Sequence, residues 1–281
     1  MKTMVLNETF VMNNGVEIPK LSLGTWQIPD EVAEASVLSA LKVGYRHIDT
    51  AVIYRNEAGV GRGIAGSNVP REEIFVTTKV PDRVKDPVEV ERIFNESLER
   101  LGVDYVDLLL IHAPKAWEEI VEKTEKTYYE ENLTVWGVME RLYKEGKCRS
   151  IGVSNFEIHD IQNLLDHAEI KPQVNQIKVH IGYYPKDLVD YCQANDILVE
   201  AYSPNATGKL RENPVVVAMA EKYGVSIPQL GIRFDLQLGT LPLPKTTHEE
   251  YMVENAAVDF EISEEDMEQL KSFGHITCLG D

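Results

Sequence analysis

Residues 74–112 have the sequence IFVTTKVPDRVKDPVEVERIFNESLERLGVDYVDLLLIH, which contains a strand, a helix and a second strand. The runs at 74–79 and 107–112 are short and apolar, as expected for buried strands. Between them, residues 87–101 place apolar side chains at helical spacing, with polar residues on the outer face. Because two strands joined through a helix are usually parallel, this stretch predicts a right-handed βαβ unit.

The same alternation continues along the chain. Eight strand-like runs lie at residues 21–24, 46–49, 74–79, 107–112, 150–154, 174–178, 198–202 and 240–244. Segments of helical period lie at residues 31–43, 87–101, 136–145, 187–194 and 214–223. Eight units without a Pro/Gly-rich linker favour a closed barrel over an open sheet. We therefore predict an α/β fold, a (β/α)8 TIM barrel that occupies residues 1–281 as a single domain.

Two segments depart from this alternation. Near the start, TFVM and VEIP flank Asn13-Asn14-Gly15, which predicts an N-terminal β-hairpin with a tight primed turn. Residues 113–132 form a long polar connection after the fourth strand run, with Trp117, Tyr128 and Tyr129. Such loops at a barrel mouth often shape a substrate pocket, but a solvated surface excursion is an equally open interpretation.

Composition limits the partners. The formal net charge is −18, so nucleic acid and anionic membranes are expected to be repelled. Cys148, Cys192 and Cys278 are far apart and show no CxxC spacing, which predicts neither disulfides nor a structural zinc site. The sequence shows no signal peptide and no apolar stretch of membrane-spanning length. We therefore expect a cytoplasmic protein with no membrane or nucleic-acid partner.

Ionisable residues close three of the strand runs. Asp49, Lys79 and His112 lie at the carboxyl ends of the runs, and Tyr54 follows Asp49 by five residues. Reactive groups of a TIM barrel lie at this end of the strands, and a buried charge is costly without a partner. We therefore expect a Lys79–Asp49 ion pair beside Tyr54. The ammonium group is expected to lower the pKa of the Tyr54 phenol toward neutrality, which would make it a usable proton donor.

Six segments carry a family resemblance. GYRHIDTAVIYRNEAGVG (44–61) and LGVDYVDLLLIHAP (101–114) resemble the two signatures of the aldo-keto reductase family. IGVSNF (151–156), VNQI (174–177), AYSP (201–204) and LPKTTHEEYMVEN (243–255) follow in the family's order. The match spans the whole chain and is most similar to prokaryotic aldehyde, ketone or diketo-acid reductases.

The resemblance implies a function and a set of site residues. It implies NAD(P)H-dependent reduction of aldehydes or ketones, with Tyr54 as proton donor, Lys79 and Asp49 as its support and His112 orienting the carbonyl. Trp26 would form a wall of the substrate pocket. The residues expected to contact the cofactor are Ser154, Asn155, Gln176, Tyr202, Ser203, Lys245, Thr246, Tyr251, Glu254 and Asn255. In this expectation the first three bind the nicotinamide carboxamide, Tyr202 stacks on the ring, Ser203 touches the pyrophosphate, and the rest hold the adenosine end.

Three positions depart from the family pattern. Ala113 follows His112 where many members have an aromatic residue, which is expected to widen one wall of the pocket. Asn205 replaces the Leu of Ser-Pro-Leu, and Tyr251 replaces an Arg expected to clamp a 2′-phosphate. We therefore expect NADPH to be preferred by a reduced margin, with measurable NADH activity. The physiological carbonyl stays open, and the resemblance favours a monomer.

The same sequence permits other interpretations. His47 and Asp49 share one strand face, which permits a metal-site interpretation and a metal-dependent hydrolase, although a structural His47 deeper in the barrel is favoured and no metal is expected. The GRGIAG run (61–66) matches a dinucleotide fingerprint but falls late in a helix, which favours tight helix packing. Trp136 is expected to pack in the core. A barrel that binds cofactor without turnover is a further alternative, which the complete tetrad disfavours.

Overall fold

Eight parallel strands follow one another in chain order around the centre of the computed structural model, which describes residues 4–274 and 276. They are β3 (Leu23–Gly24), β4 (His47–Asp49), β5 (Phe75–Val80), β6 (Val106–Ile111), β7 (Cys148–Ser154), β8 (Val174–Lys178), β9 (Leu198–Tyr202) and β10 (Leu241–Leu243). Each strand pairs with the next. The ring closes between its ends because Gly24 N donates to Pro244 O at 2.9 Å and Ser22 N to Pro242 O at 3.4 Å. The predicted barrel is confirmed, with strand ends shifted by up to two residues.

Helices surround this barrel. They are α1 (Asp30–Val43), α2 (Glu57–Gly66), α3 (Pro87–Leu101), α4 (Trp117–Val121), α5 (Tyr129–Lys144), α6 (Ile158–His167), α7 (Lys186–Ala194), α8 (Pro214–Tyr223), α9 (Ile227–Gln237), α10 (Glu249–Ala256) and α11 (Glu264–Lys271). Short 3-10 helices lie at Met4–Asn7, Val52–Tyr54, Arg71–Glu73 and Ala206–Glu212. The helix bounds predicted for α3 and α8 are confirmed. In the described part of the chain, no helix is long and apolar enough to span a membrane.

The connection predicted at 113–132 is not irregular throughout, which corrects that expectation. It contains α4, and α5 begins at Tyr129 rather than at Trp136. No side chain caps the N-terminus of α5, so the sequence carries no local start signal there. Lys85 Nζ donates to Asn132 Oδ1 at 2.6 Å and to Pro114 O at 3.2 Å. These bonds tie the two ends of the connection together.

The N-terminal hairpin is present, but its turn is wider than predicted. Strands β1 (Thr9–Val11) and β2 (Glu17–Pro19) pair antiparallel, and five residues join them. Gly15 adopts a positive φ of 83°, whereas neither asparagine does, so the turn is not the two-residue primed type. Asn13 Nδ2 instead donates to Pro172 O and Asp196 O, and Asn14 Nδ2 to Arg149 O. The hairpin therefore closes the end of the barrel where strands β7 to β9 begin.

Strand alternation decides which side chains point into the barrel. One apolar cluster contains residues of the N-terminal hairpin together with Phe75, Leu108, Val174 and Leu241. A second cluster contains Ile48, other strand residues that face outward, and the helix residues that pack on them. Side chains two residues apart share a face. Residues in step with Phe75, including Lys79, therefore face the barrel interior.

Close packing explains the glycine-rich run of α2. A Cβ on Gly61 would lie 2.4 Å from Leu101 O, and one on Gly63 would lie 2.6 Å from Val37 Cβ. The tight-packing interpretation is therefore confirmed. Trp136 is buried and donates from its indole to Ile170 O at 3.0 Å, as expected for a core residue.

The described cysteines are buried thiols. Burial raises the pKa of Cys148 to about 12 and that of Cys192 to about 11, so both stay protonated at neutral pH. Cys278 lies outside the described residues.

Candidate active site

Three neighbouring strands bring the predicted tetrad together at their carboxyl ends. Asp49 ends β4, Lys79 lies near the end of β5, and His112 directly follows β6. Tyr54 closes the 3-10 helix Val52–Tyr54, which follows β4 after two residues. Because the strands are parallel, their carboxyl ends meet at one mouth of the barrel.

Lys79 is the centre of this group. Its Nζ donates to Asp49 Oδ1 at 2.8 Å, to Asp49 Oδ2 at 2.9 Å and to the backbone oxygen of Thr50 at 2.9 Å. The fourth contact is a longer one to the Tyr54 hydroxyl at 3.4 Å. Lys79 is fully buried and Asp49 is 3% exposed, so the ion pair expected from the sequence is present and shielded from water.

The pKa of Tyr54 is raised, whereas the sequence analysis expected Lys79 to lower it. Burial raises the pKa of the phenol, and this effect exceeds the lowering by Lys79, while Asp49 raises the pKa further. For Lys79, burial disfavours the charge, but Asp49 and Tyr54 outweigh it and the pKa is raised. Tyr54 therefore holds its proton at neutral pH, which is the state that a proton donor needs.

His112 is a neutral imidazole beside Tyr54. The two rings lie 5.6 Å apart between centroids in an edge arrangement at 77°. Burial, helped by the charge of Lys79, lowers the pKa of His112 to about 3. Its Nδ1 is buried without a hydrogen-bond partner among the described residues. A half-buried neutral ring of this kind can orient a polar ligand without adding charge.

A second predicted group lies beside the tetrad. Asn155 Nδ2 donates to His112 O at 3.0 Å and to Ser154 Oγ at 3.0 Å, and Tyr202 donates from its hydroxyl to Asn155 Oδ1 at 2.8 Å. Gln176 Nε2 donates to Asp49 Oδ2 at 2.9 Å. The structure therefore brings Ser154, Asn155, Gln176 and Tyr202 together.

The backbone at this end of the barrel is strained at several non-glycine residues, and two of them belong to the predicted cofactor contacts. Asn155 has φ 58° and Ser203 has φ 57°, both left-handed conformations. Each follows the end of a strand, β7 and β9 respectively. Such conformations cost free energy and tend to cluster at binding sites.

The third predicted group follows β10. Lys245 is exposed and makes no hydrogen bond or ion pair with the described residues, in a chain with 46 acidic residues. Thr246 is buried, and its hydroxyl accepts from His248 N at 3.1 Å. On α10, Tyr251 is 51% exposed, Glu254 is half-buried and Asn255 is buried. A cation without a partner among the described residues suits a phosphate, and the exposed ring of Tyr251 suits an adenine.

The buried polar atoms provide a test of whether a dinucleotide fits. Asn205 Oδ1, just beyond Ser203, is buried without a partner among the described residues. Lys245, after β10, likewise has no partner among the described residues, and the strained Asn155 and Ser203 lie after β7 and β9 at the same end of the barrel. The residues present therefore fit a nicotinamide dinucleotide.

The two predicted substrate-pocket residues differ in exposure. Trp26, just after β3, is 39% exposed, whereas Ala113 is only 1% exposed. Ala113 therefore offers little surface to a ligand in this conformation.

His47 lies deeper in the barrel than the tetrad and is fully buried. Its Nε2 lies 3.0 Å from Thr77 Oγ1, and its ring packs edge-on against Phe75. Among the described residues, no group of three or more His, Cys, Asp or Glu side chains is placed to hold a metal ion.

One residue of this region was missed from the sequence. Glu200 is fully buried on β9 and accepts a 2.7 Å hydrogen bond from Gln176 Nε2. The available signal was a carboxyl residue within the apolar run LVEAY, two residues before Tyr202 and hence on the same strand face.

Comparison with known proteins identifies similar chains. The model of the Aldo/keto reductase family matches residues 20–275. The chain is 44% identical over 277 residues to a glyoxal reductase of Bacillus subtilis, covering 98% of this chain and 96% of that protein.

Solved structures agree with this similarity. An aldo-keto reductase enzyme from a Medee basin deep-sea metagenome library superposes with a TM-score of 0.87 at 39% identity, covering 95% of both chains. A Bombyx mori aldo-keto reductase in complex with NADP superposes with a TM-score of 0.84 at 33% identity, covering 95% of this chain and 92% of that one.

Proposed function

Because the chain belongs to the aldo-keto reductase family, we propose that it reduces an aldehyde or ketone to the alcohol with a nicotinamide cofactor and with Tyr54 as proton donor. The observation that carries this proposal is the position of Lys79 Nζ, 2.8 Å from Asp49 Oδ1 and 3.4 Å from the Tyr54 hydroxyl. A buried ammonium group between a carboxylate and a phenol is suited to stabilise the phenolate that remains after proton transfer.

Proton transfer runs from Tyr54 to the carbonyl oxygen. Burial keeps the phenol protonated before the reaction. As negative charge develops on the substrate oxygen, the Tyr54 proton moves to it, and Lys79 stabilises the phenolate left behind. Asp49 keeps Lys79 charged and in place. General acid assistance of this kind contributes roughly 10²- to 10⁴-fold in rate.

His112 orients the substrate. A neutral imidazole carries one N–H, which donates a hydrogen bond to the carbonyl oxygen and places it near Tyr54. Since the pKa of His112 is lowered to about 3, the ring does not compete with Tyr54 as an acid at neutral pH. Donors aimed at a developing oxyanion contribute about 10²- to 10³-fold.

The cofactor would be held by the predicted residues beside the tetrad and by those that follow β10. When bound, the nicotinamide ring supplies the hydride. Ser154, Asn155 and Gln176 would hold its carboxamide, with Tyr202 stacked on the ring and Ser203 at the pyrophosphate. Lys245 and Thr246 would hold the ribose and its 2′-phosphate, with Tyr251, Glu254 and Asn255 at the adenine.

We propose NADPH as the preferred cofactor, with NADH also used. The unpaired Lys245 supports a 2′-phosphate site, and the similar Bombyx mori structure contains NADP. Tyr251 lacks the permanent charge that Arg would supply, which reduces the preference.

We also propose a domain organisation, a location, an oligomeric state and a class of substrate. The chain acts as a single domain, 1–281, and as a cytoplasmic monomer on a small carbonyl compound. The similar glyoxal reductase of Bacillus subtilis makes dicarbonyls the first substrates to test. Trp26 would form an apolar wall of the pocket, and Ala113, which follows His112, would widen one wall.

The test is a panel of carbonyl compounds, including glyoxal, larger aldehydes and keto acids, with NADPH and NADH in parallel. We expect cofactor oxidation with at least one aldehyde and its loss in Tyr54→Phe. Tight NADPH binding without oxidation by any carbonyl would instead indicate a binding protein. Activity that a chelator abolishes would indicate a metal enzyme.

A further inference from the structure

Glu200 contacts Gln176, one of the residues expected to bind the cofactor. Its side chain is fully buried on β9, and Gln176, on the adjacent β8, is 2% exposed. Gln176 Nε2 donates at 2.7 Å to Glu200 Oε2 and at 2.9 Å to Asp49 Oδ2. The amide group has two N–H donors, so these two bonds use both. Gln176 is thus fixed between the two carboxyl groups.

This bridge continues to the proposed proton donor. Asp49 accepts from Lys79 Nζ through both carboxyl oxygens, and Lys79 reaches the Tyr54 hydroxyl. Glu200, Gln176, Asp49, Lys79 and Tyr54 therefore form one hydrogen-bonded line across the barrel. We infer that Glu200 is a positioning residue that acts on Tyr54 through this line and sets its strength as an acid. The inference rests on the proposed role of Tyr54 in carbonyl reduction.

The charges facing Glu200 determine its state. Its Oε1 lies 3.8 Å from His47 Nε2, and Asp49 and Lys79 are the other charged groups that act on it. Burial, and then the negative charge of Asp49, raise the pKa of Glu200 to about 8, while burial lowers the pKa of His47 to about 3. At neutral pH both are therefore uncharged, and the charges of Lys79 and Asp49 balance.

Ionisation of Glu200 changes that balance. Above pH 8 it adds a second carboxylate, which favours the protonated forms of Lys79 and Tyr54. A phenol that holds its proton more tightly donates it more slowly. The raised pKa of Glu200 means that the uncharged state is present below about pH 8 and is lost above it. Carbonyl reduction is therefore expected to slow through this range.

The first experiment compares pH profiles of kcat for reduction in wild type, Glu200→Gln and Asp235→Asn. Glu200→Gln keeps the side-chain shape and mimics the uncharged acid. Asp235, on α9, is also a fully buried carboxyl but lies outside the line, which makes its variant the matched control. We expect kcat of wild type and Asp235→Asn to fall by about 3- to 10-fold through pH 8. Glu200→Gln should lack this inflection, and an unchanged inflection in Glu200→Gln overturns the inference.

The second experiment needs neither cofactor nor turnover. Ultraviolet absorption after a rapid jump to alkaline pH, with the Tyr54→Phe spectrum subtracted, reports the phenolate of Tyr54. Glu200→Gln should lower the titration midpoint, because it removes a negative charge. Gln176→Met should raise it, because Asp49 loses a donor.

The two experiments together keep the inference separate from the proposed function. Opposite shifts of the midpoint support the line even if no carbonyl substrate is found. Equal midpoints in wild type and both variants overturn it, as does a shift of the same sign in both. If Glu200→Gln fails to fold, an unchanged midpoint in Gln176→Met alone is sufficient to overturn it.

Discussion

The ammonium nitrogen of Lys79 lies 3.4 Å from the hydroxyl oxygen of Tyr54, and Lys79 is fully buried. At this distance the charge of Lys79 lowers the pKa of the phenol, but burial of the phenol has the larger, opposite effect. Tyr54 is therefore prepared to give a proton rather than to take one. This relationship is the basis of the first two predictions.

Tyr54→Phe is expected to reduce kcat by at least about 100-fold, because the ring remains but the transferable proton is lost. NADPH affinity, measured by quenching of tryptophan fluorescence, should change less than about twofold, since the hydroxyl is assigned to the substrate side. A variant that keeps kcat within about fivefold of wild type would contradict the role of Tyr54.

Lys79→Met should slow reduction and move the remaining pH dependence upward. Removing the ammonium group removes both effects of Lys79 that lower the Tyr54 pKa, its charge and its hydrogen bond, and leaves burial and Asp49, which raise that pKa. It also leaves Asp49 buried without its ion-pair partner, so we expect unfolding to become easier by about 3 kcal/mol or more. Asp49→Asn should impair kcat less. If Lys79→Met folds and its pH profile overlays that of wild type, the assignment is wrong.

Cofactor preference is predicted to depend on Lys245. Lys245→Ala should reduce the ratio of kcat/KM for NADPH over NADH by about 10-fold, the value of one charge-assisted hydrogen bond. Tyr251→Arg should increase the same ratio, because guanidinium adds a bidentate phosphate contact. Equal or better use of NADH by wild type contradicts the preference, and an unaltered ratio in Lys245→Ala places the phosphate elsewhere.

Asp235 is predicted to make stability depend on pH. Its carboxyl is fully buried without a hydrogen-bond partner among the described residues, and burial raises its pKa well above the ordinary value. The folded state therefore binds a proton more tightly than the unfolded state. The resulting stabilisation is complete below the unfolded pKa of roughly 3.9 and is lost as pH rises through the folded pKa.

Urea unfolding of wild type and Asp235→Asn at several pH values tests this prediction. Between the two pKa values, wild type should lose about 1.4 kcal/mol of unfolding free energy per pH unit relative to Asp235→Asn. Parallel curves for the two proteins across pH 4 to 8 would show that Asp235 does not titrate with folding.

Local signals account for the elements that were predicted accurately. The helix Pro87–Leu101 begins after Asp86, whose side chain accepts from Val88 N and Glu89 N, and ends at Gly102 with a φ of 64°. The helix Pro214–Tyr223 likewise begins with proline after a capping side chain, that of Asn213, and ends at a glycine with positive φ, Gly224. For helix α5, which lacks a side-chain cap, the sequence pattern predicts a start seven residues too late. Its first turn is stabilised by tertiary contacts, such as the bond from Asn163 Nδ2 to Tyr129 O, that local sequence does not encode.

The sequence by itself determined the barrel, because apolar runs alternating with amphipathic segments have few other ways to bury their surface. It also determined which ionisable residues meet at the barrel mouth, since parallel strands bring their carboxyl ends together. Only the tertiary structure decided the sign of the Tyr54 pKa shift, the burial of Ala113 and the bridge from Glu200 through Gln176 to Asp49. Each of these depends on how completely neighbouring strands exclude water and on distances of a few ångströms between residues far apart in the chain.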